Sequence, residues 1–320
     1  MALPDSIFIY RNIERALLNK DNVYALELSG YAKLPEGIDS LYELRYLFIS
    51  DCMIDKLPRE IFKLNKLKRL YLNDNRLEEI QAIPQNWSSL EIFSATGNKL
   101  KRFPKEIEQL IHLQQLIFSN NQINSVPEEI GILKNLELLD LSFNQIEAVP
   151  SSVGNLQNLT ILNISGNKIS KLTSNITGLN RLAKFYADDN KLQDLPDGIC
   201  EIKSLIFLSV SNNRLTKLPE NIGYLQKLET VLSARNQLTK LPESLSVLQN
   251  LSTLDVSDNQ LRYLSPQIDL LKSLNYLNVS NNELEQLPQA LSRMSGLQDL
   301  GIEGNTIFNM PELHENIRIF

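Results

Sequence analysis

Apolar residues recur along the chain with a period of 23 residues. The first leucine of each unit stands at Leu44, Leu67, Leu90, Leu113, Leu136, Leu159, Leu182, Leu205, Leu228, Leu251, Leu274 and Leu297. A shorter unit begins at Val23, and the last unit stops early, at Phe320. About thirteen units result, and atypical units at both ends are typical of a repeat array closed by capping repeats.

Within a unit the sequence follows the pattern L-x-x-L-x-L-x-x-N-x-L-x-x-L-P-x-x-I-x-x-L-x-x. The alternation in its L-x-L part predicts a short strand with one buried face. The next unit follows too soon for a long crossover helix, so the second half predicts a tight return of one or two turns of helix or 3-10 helix. Stacked coils of this kind place their strands side by side in a parallel sheet, on the concave side of a curved solenoid, with strands about 4.8 Å apart.

An asparagine occupies position 9 of almost every unit. The column consists of Asn75, Asn98, Asn121, Asn144, Asn167, Asn190, Asn213, Asn236, Asn259, Asn282 and Asn305. Cys52 takes this position in the first full unit. The chain turns inward there and its backbone groups lack ladder partners, so a buried carboxamide can donate and accept hydrogen bonds to neighbouring coils. The column predicts a structural asparagine ladder.

The first residues carry the signals of a helix that covers the open end of the core. The chemistry of a helix start is offered by Pro4, Asp5 and Ser6. Apolar residues at helical spacing follow at Ile9, Ile13 and Leu17. We therefore predict an amphipathic helix over residues 6–19 within a capping segment of residues 1–22. Residues 23–320 are expected to form the solenoid, in a single domain overall.

The return segments carry a second signature, seen in "LPREIFKL", "VPEEIGIL", "LPDGICEI" and "LPENIGYL". With the strand motif, they resemble the leucine-rich repeat family over essentially everything from Val23 to the end. The repeat class indicated by these return segments is similar to that of intracellular Ras-interacting scaffolds, Roco-type GTPases and many bacterial proteins. The N-terminal segment "NIERALLNKDNVYALELSG" is similar to the N-terminal caps of bacterial members. The resemblance implies an α/β fold, a right-handed horseshoe with a concave parallel sheet and helical, 3-10 or extended returns on its convex side.

Charge and composition exclude several classes of function. The net charge is −6 and the sequence pI about 5.2, so the broad basic surface of a nucleic-acid-binding protein is missing. No stretch approaches the roughly 18 apolar residues of a membrane span, and the N-terminus lacks the pattern of a signal peptide. We expect a monomeric cytoplasmic protein that does not insert into membranes, unless a leader has been removed.

The residues offer little for catalysis, which needs a nucleophile, a base and a charge stabiliser that converge. His112 and His314 stand far apart along the stack, and no phosphate-binding loop or metal-binding motif occurs. Cys52 occupies the asparagine column, where a small buried thiol is a tolerated substitute, and Cys200 is interpreted in the same way. We therefore expect no enzyme activity, no cofactor and no metal site.

The positions that vary between units form the concave face, where we expect a protein or peptide ligand to bind. The candidate contact residues are Tyr46, Phe48, Arg69, Tyr71, Ile92, Ile117, Leu138, Phe143, Ile161, Tyr186, Phe207 and Leu232. Contiguous apolar groups with charged rims are typical of partner sites, although large strand residues also serve β-propensity and cross-strand packing alone. Further along, the face is predicted to turn acidic at Asp255, Asp258, Asp299 and Glu303, so that a partner of complementary charge docks in one direction.

Two alternatives stay open at this point. The chain is compatible with the sensory or scaffold arm of a larger signalling GTPase, kinase or ubiquitin ligase. It is equally compatible with a bacterial surface adhesin that binds a host protein or glycan. Flanking sequence beyond Phe320 would indicate the first alternative, and an upstream leader would indicate the second.

Overall fold

The strands of the repeats pair in chain order to form parallel sheets. The computed structural model describes residues 7–81 and 83–320. The chain divides into two compact units, Met1–Leu159 and Thr160–Phe320.

In the first unit, seven strands form a parallel sheet in the order of the sequence. They are β1 (Ile9–Tyr10), β2 (Ala25–Ser29), β3 (Tyr46–Ser50), β4 (Arg69–Tyr71), β5 (Ile92–Ser94), β6 (Gln115–Ile117) and β7 (Leu138–Asp140). Equivalent positions of successive repeats pair directly, as in Leu47 with Leu70 and Phe93 with Leu116. The register therefore follows the 23-residue period of the sequence.

The second unit repeats this arrangement with eight strands, paired in parallel and in chain order. They are β8 (Ile161–Asn163), β9 (Lys184–Tyr186), β10 (Phe207–Ser209), β11 (Thr230–Leu232), β12 (Thr253–Asp255), β13 (Tyr276–Asn278), β14 (Asp299–Gly301) and β15 (Arg318–Ile319). The last strand comes from the tail, where Ile317 is buried. The tail thus adds a strand to this sheet.

Single turns of 3-10 helix form the returns. In the first unit they are Lys20–Asn22, Ile38–Ser40, Arg59–Lys63, Gln85–Trp87, Ile107–Gln109, Glu128–Ile132 and Ser151–Asn155. In the second unit they are Ser174–Gly178, Asp197–Glu201, Ile222–Tyr224, Glu243–Val247, Ile268–Leu270 and Gln289–Arg293. Proline precedes many of them because its fixed φ suits the extended residue before a helical turn. The predicted combination of parallel strands and short returns is confirmed.

The N-terminal helix is shorter than the sequence pattern predicts. Helix α1 spans Ile13–Leu18, and the Asn12 side chain caps it by accepting a hydrogen bond from the backbone N–H of Arg15 at 2.9 Å. Ile9–Tyr10 instead pairs with β2, so the prediction of helix before residue 13 is wrong for residues 7–12. The three residues predicted to start the helix, Pro4, Asp5 and Ser6, lie outside the described residues.

The leucine columns fill the core of each unit. Strand residues such as Leu70, Leu116 and Leu208 and return residues such as Ile130 and Ile222 are fully buried. Burial of this many apolar side chains is the main stabilising term of the fold. Within the described residues no helix is long and apolar enough to cross a membrane.

Candidate protein-binding surface

Each sheet has a second surface, opposite the core, which we call the sheet face. In β4 the central residue Leu70 is fully buried, whereas the flanking residues Arg69 and Tyr71 are half-buried. The same pattern recurs in β6 and β7 and in β8, β11, β12 and β13 of the second unit. The sheet face therefore presents the residues at positions 3 and 5 of each repeat, since side chains alternate along a strand.

A stacked aromatic pair lies on the sheet face of the first unit. Phe48 of β3 and Tyr71 of β4 pair directly in register, with ring centroids 4.9 Å apart and planes only 8° from parallel. Both residues are half-buried, and partial burial raises the pKa of the Tyr71 phenol, while the nearby Arg69 opposes that shift. The pair keeps part of both rings accessible to a partner.

Tyr46 does not contribute an accessible ring to this surface. Its exposed fraction is 7%, because the guanidinium of Arg69 on the neighbouring strand lies over the ring, 5.4 Å from its centroid. Little of the Tyr46 ring is accessible in the unbound chain, and its contact with a partner stays a prediction. Its role is to support Arg69, which is itself half-buried on the sheet face.

Ile92 is also buried, with an exposed fraction of 3%. It pairs in register with Arg69 on one side and Gln115 on the other, and both of these side chains are longer. Ile92 therefore offers little accessible surface, and its contact with a partner stays a prediction. Alternation correctly assigns its face of the sheet, but the size of its neighbours determines its exposure.

Ile117, Leu138 and Phe143 continue the apolar part of the sheet face in the first unit. Ile117 and Leu138 lie on the adjacent strands β6 and β7 and are half-buried. Phe143 follows β7 and is 55% exposed, although phenylalanine is a large apolar residue. These three residues are accessible where the sequence predicts them.

Phe143 also has an unusual backbone conformation, which the sequence analysis missed. Its φ is +53°, in the left-handed region, as at position 8 of the other full repeats. The other residues there are Asp51, Asp74, Gly97, Asn120, Gly166, Asp189, Asn212, Arg235, Asp258, Asn281 and Gly304. Glycine, asparagine and aspartate tolerate this conformation, whereas a bulky aromatic residue does not favour it. The column's composition is the signal that identifies Phe143 and Arg235 as exceptions.

A second apolar cluster lies on the sheet face of the second unit. Tyr186 of β9 and Phe207 of β10 are diagonal neighbours, with ring centroids 4.9 Å apart. Leu232 on the next strand and Ile161 on β8 are half-buried in the same manner. All four residues are partly accessible within their own unit.

The acidic residues predicted for the later repeats are partly neutralised. Asp299 accepts a hydrogen bond from the guanidinium of Arg318 at 2.6 Å, and Asp258 lies 3.9 Å from that of Arg235. Arg318 belongs to the tail, whose position next to β14 could not be read from the repeat pattern. The negative charge of this surface is therefore smaller than the sequence predicts.

The position-9 asparagines lie behind the sheet face, at the carboxyl ends of the strands. The Nδ2 of Asn121 donates to the carbonyl oxygens of Ala95, Phe118 and Ser119 at 2.9 to 3.1 Å, and its Oδ1 accepts from the N–H of Leu100 at 2.9 Å. All eleven asparagines donate from Nδ2 to backbone carbonyl oxygens. These side chains are committed to the backbone and leave recognition to other positions.

The two cysteines are buried and unpaired. The Cys52 thiol lies 3.5 Å from the carbonyl oxygen of Ser50 and 3.7 Å from that of Leu28, so it takes over part of the asparagine's bonding. Burial raises the pKa of the Cys200 thiol to about 11. Cys200 therefore stays protonated at neutral pH, which does not suit a nucleophile.

Fold and surface together define a parallel-sheet repeat solenoid. A family model described as leucine-rich repeat region matches residues 97–195, and a leucine-rich repeat model matches residues 204–225 and 273–294. No curated protein sequence matches the chain significantly. The chain is a leucine-rich repeat protein.

Solved structures of other proteins share this fold. A leucine-rich repeat protein of Leptospira interrogans superposes with a TM-score of 0.87 and 28% identity, over 98% of this chain and 81% of its own. The plant peptide hormone receptor RGFR1, solved in complex with RGF2, has a TM-score of 0.68 and 26% sequence identity. The match covers 95% of this chain and 54% of the receptor chain. The internalin InlF of Listeria monocytogenes has a TM-score of 0.78 and 21% sequence identity, over 91% of this chain and 84% of its own. A likeness at this identity shows the fold alone. This chain thus spans about half the length of the plant receptor.

Proposed function

We propose that the chain is a non-catalytic recognition module that binds a protein or peptide on its sheet face. The observation that carries the proposal is the group of partly exposed apolar residues in the first unit, Phe48, Tyr71, Ile117, Leu138 and Phe143. A surface that only had to remain in contact with water would favour polar residues at these positions. Accessible apolar groups of this kind are typical of partner sites.

The geometry of the aromatic pair supports the same proposal. The rings of Phe48 and Tyr71 are held by their stacking and by strand pairing, so little side-chain freedom is lost when a partner covers them. Tyrosine is among the residue types that dominate binding energy at interfaces. A stable interface covers about 800 Å² on each partner, which requires a contact area that extends beyond this pair.

A solved relative gives independent support. The plant receptor that is 26% identical to this chain was solved in complex with a peptide hormone. A rigid parallel sheet with variable outward residues offers an extended ligand many contacts in a fixed arrangement. We propose a protein or peptide ligand for this chain on the same physical grounds.

Compartment and assembly belong to the same proposal. We propose that the chain acts as a monomer in the cytoplasm. Its two cysteines, Cys52 and Cys200, are unpaired thiols, as expected in a reducing compartment.

The test is affinity capture from a lysate of the source organism, followed by identification of the captured proteins. Wild type is compared with the double variant Phe48→Asp plus Tyr71→Asp, which places two charges on the sheet face. The matched control is Tyr42→Asp plus Ile132→Asp, which adds the same charge at return residues that are 61% and 49% exposed. Circular dichroism establishes that all three proteins are folded.

We expect a protein that wild type and the control capture and the sheet-face variant loses. Direct binding of that purified protein to all three chains, measured by calorimetry, then establishes the interaction. A partner that only the control variant loses would indicate that the binding site lies on the return segments, not on the sheet face. Failure of wild type to retain any protein above a blank support would count against a recognition module in this lysate.

A further inference from the structure

Phe143 combines an unfavourable backbone conformation with a large exposed side chain. Its φ of +53° lies in the left-handed region, which disfavours bulky residues and is tolerated best by glycine, asparagine and aspartate. Burial offsets little of this cost, because 55% of the side chain is exposed. Backbone strain of this kind is concentrated at functional sites, where the residue is needed for a purpose other than stability.

Arg235 has the same backbone conformation but different surroundings. It occupies position 8 of its own repeat with a φ of +53°, and its guanidinium lies 3.9 Å from the carboxylate of Asp258, at position 8 of the next repeat. A contact within the chain therefore accompanies the strain at Arg235. Phe143 differs, since its ring contacts no other aromatic ring within the described part of the chain.

Phe143 also reaches further from the backbone than the other position-8 residues of the first unit. Those residues carry short polar side chains or none, and they are Asp51, Asp74, Gly97 and Asn120. The backbone of Phe143 is held in place, because its carbonyl oxygen accepts a hydrogen bond from the N–H of Asn121 in the preceding coil, at 3.1 Å. The ring is therefore a fixed, convex feature beside a row of shorter residues.

We propose, on the basis of the proposed function, that Phe143 determines the specificity of binding and that the partner is a folded protein with an apolar pocket for its ring. A convex ring buries the most area in a concave site, and folded domains contain such pockets whereas short linear peptides do not. Side chains that fill desolvated pockets dominate binding energy. Ile117 and Leu138, half-buried on β6 and β7, extend the apolar contact onto the sheet face.

The test uses a phage-displayed library of genomic fragments from the source organism, each about 100 to 200 residues long and so able to fold as a domain. Wild-type chain is the bait. Each enriched fragment is purified, checked for folding by circular dichroism and measured against the chain by calorimetry. Short synthetic peptides that cover the same fragment are measured in parallel. We expect the folded fragment to bind and the peptides to bind at least about tenfold more weakly.

The decisive variant is Phe143→Asn, because asparagine also stands in this column at Asn120 and tolerates the left-handed backbone. It should unfold at the same urea concentration as wild type or a higher one, and yet bind the fragment at least about tenfold more weakly. Phe143→Leu keeps an apolar side chain and should retain more affinity than Phe143→Asn. The matched control is Arg235→Asn, which relieves the same conformation without removing an apolar group and should leave affinity unchanged.

Three outcomes overturn the inference. The first is unchanged affinity in Phe143→Asn, and the second is peptides that bind as tightly as the folded fragment. The third is a Phe143→Asn variant that loses stability together with binding, which would contradict the strain. A fragment that Phe48→Asp plus Tyr71→Asp loses but Phe143→Asn keeps would leave the proposed function standing while refuting the role of Phe143. Enrichment of no fragment over a blank support would count against both.

Discussion

Asn121 offers a direct test of what the asparagine ladder contributes to stability. Its side chain is 9% exposed and donates to the carbonyl oxygens of Ala95, Phe118 and Ser119, while accepting from the N–H of Leu100. Asn121→Ala removes the donor and the acceptor at once. The Leu100 N–H and the three carbonyl oxygens then lose this polar partner in a site too enclosed to hydrate freely.

The size of the effect follows from these bonds. The two Nδ2 hydrogens and the one accepting oxygen make about three full hydrogen bonds, each worth about 1 kcal/mol net. The Leu100 N–H, which is left without a partner, adds about 1 to 2 kcal/mol, whereas the three carbonyl oxygens keep bonds from Asn98, Asn144 and the Gly97 N–H. We therefore expect Asn121→Ala to lower the free energy of unfolding by about 3 to 5 kcal/mol, a large share of the roughly 5 to 15 kcal/mol of a typical domain.

The assay is urea denaturation of wild type and variant, combined with native-state hydrogen exchange. The control is Asn135→Ala, because exposed Asn135 donates one hydrogen bond, at 2.7 Å, to the carbonyl oxygen of Ile111 in the preceding coil. That variant should cost about 1 kcal/mol or less. Exchange should accelerate most at the Leu100 amide, since coils of a solenoid interact chiefly with their neighbours.

Equal destabilisation by the two substitutions would refute this reasoning, because it would mean that burial and bond number do not matter. A second variant, Asn121→Asp, tests the donor separately, since it keeps the size and the oxygen but loses the N–H groups. At pH 7 its carboxylate faces three carbonyl oxygens, so it should be at least as destabilised as the alanine variant. Protonation at low pH restores one donor, and stability relative to wild type should recover there.

Three further predictions concern strain, reactivity and pH. Phe143 has φ +53°, a conformation that glycine adopts more easily than alanine. Phe143→Gly should therefore be more stable than Phe143→Ala by about 1 kcal/mol in urea denaturation. An alanine variant of equal or greater stability would contradict the backbone strain. The Cys200 thiol is buried and its pKa is raised to about 11, so a disulfide reagent at pH 8 should label it slowly in the folded protein and fast in denaturant. Labelling within minutes in the folded state would contradict this prediction. The hydrogen bond from Arg293 at 2.8 Å lowers the pKa of Asp269. This pair therefore stabilises the fold at pH values above the unfolded pKa of about 3.9. The stabilisation is lost as pH falls through the lower pKa of the folded state. Arg293→Gln should therefore unfold more easily than wild type at pH 7, with a difference that closes as pH falls below the ordinary pKa of aspartate. A difference independent of pH would contradict the pairing.

The repeat pattern predicted the fold because each leucine position faces the same environment in every coil. Leu70, Leu116 and Leu208 occupy equivalent strand positions and are all fully buried. The structure of one coil therefore predicts that of the next. An error in the boundaries of one repeat does not carry over to the following repeats. The asparagine column is informative for the same reason, since one isolated asparagine would be compatible with many local structures.

The N-terminal segment was harder to predict because it belongs to no repeat. Ile9, Ile13 and Leu17 have helical spacing, yet Ile9 lies in β1 and only Ile13 and Leu17 lie in α1. Asn12 provides the actual helix start, since its side chain bonds to the Arg15 N–H. Pairing with β2 outweighs local helical preference for Ile9, and only the folded sheet offers that partner.

Exposure on the sheet face was only partly predictable. Alternation shows which face a residue occupies, but Tyr46 lies under the guanidinium of Arg69 on the adjacent strand, and Ile92 is buried between strands whose paired residues are longer. Phe48 and Tyr71 stay accessible because they stack on each other. The identity of the neighbour one repeat away thus matters as much as the residue itself, and a pattern within one repeat does not contain it.

The columns of this chain divide between positions that the backbone constrains and positions that it leaves free. Asn121 is constrained by its hydrogen bonds, and the residues after the strands are constrained by a left-handed backbone that favours glycine, asparagine and aspartate. Phe143 breaks the second constraint and gains little from burial, since 55% of it is exposed. Under the proposed function, we propose that this unfavourable residue is retained for a contact with the partner. Substitution at Phe143 should therefore affect stability and binding in different ways, which distinguishes it from Asn121, where loss of stability alone would account for any loss of binding.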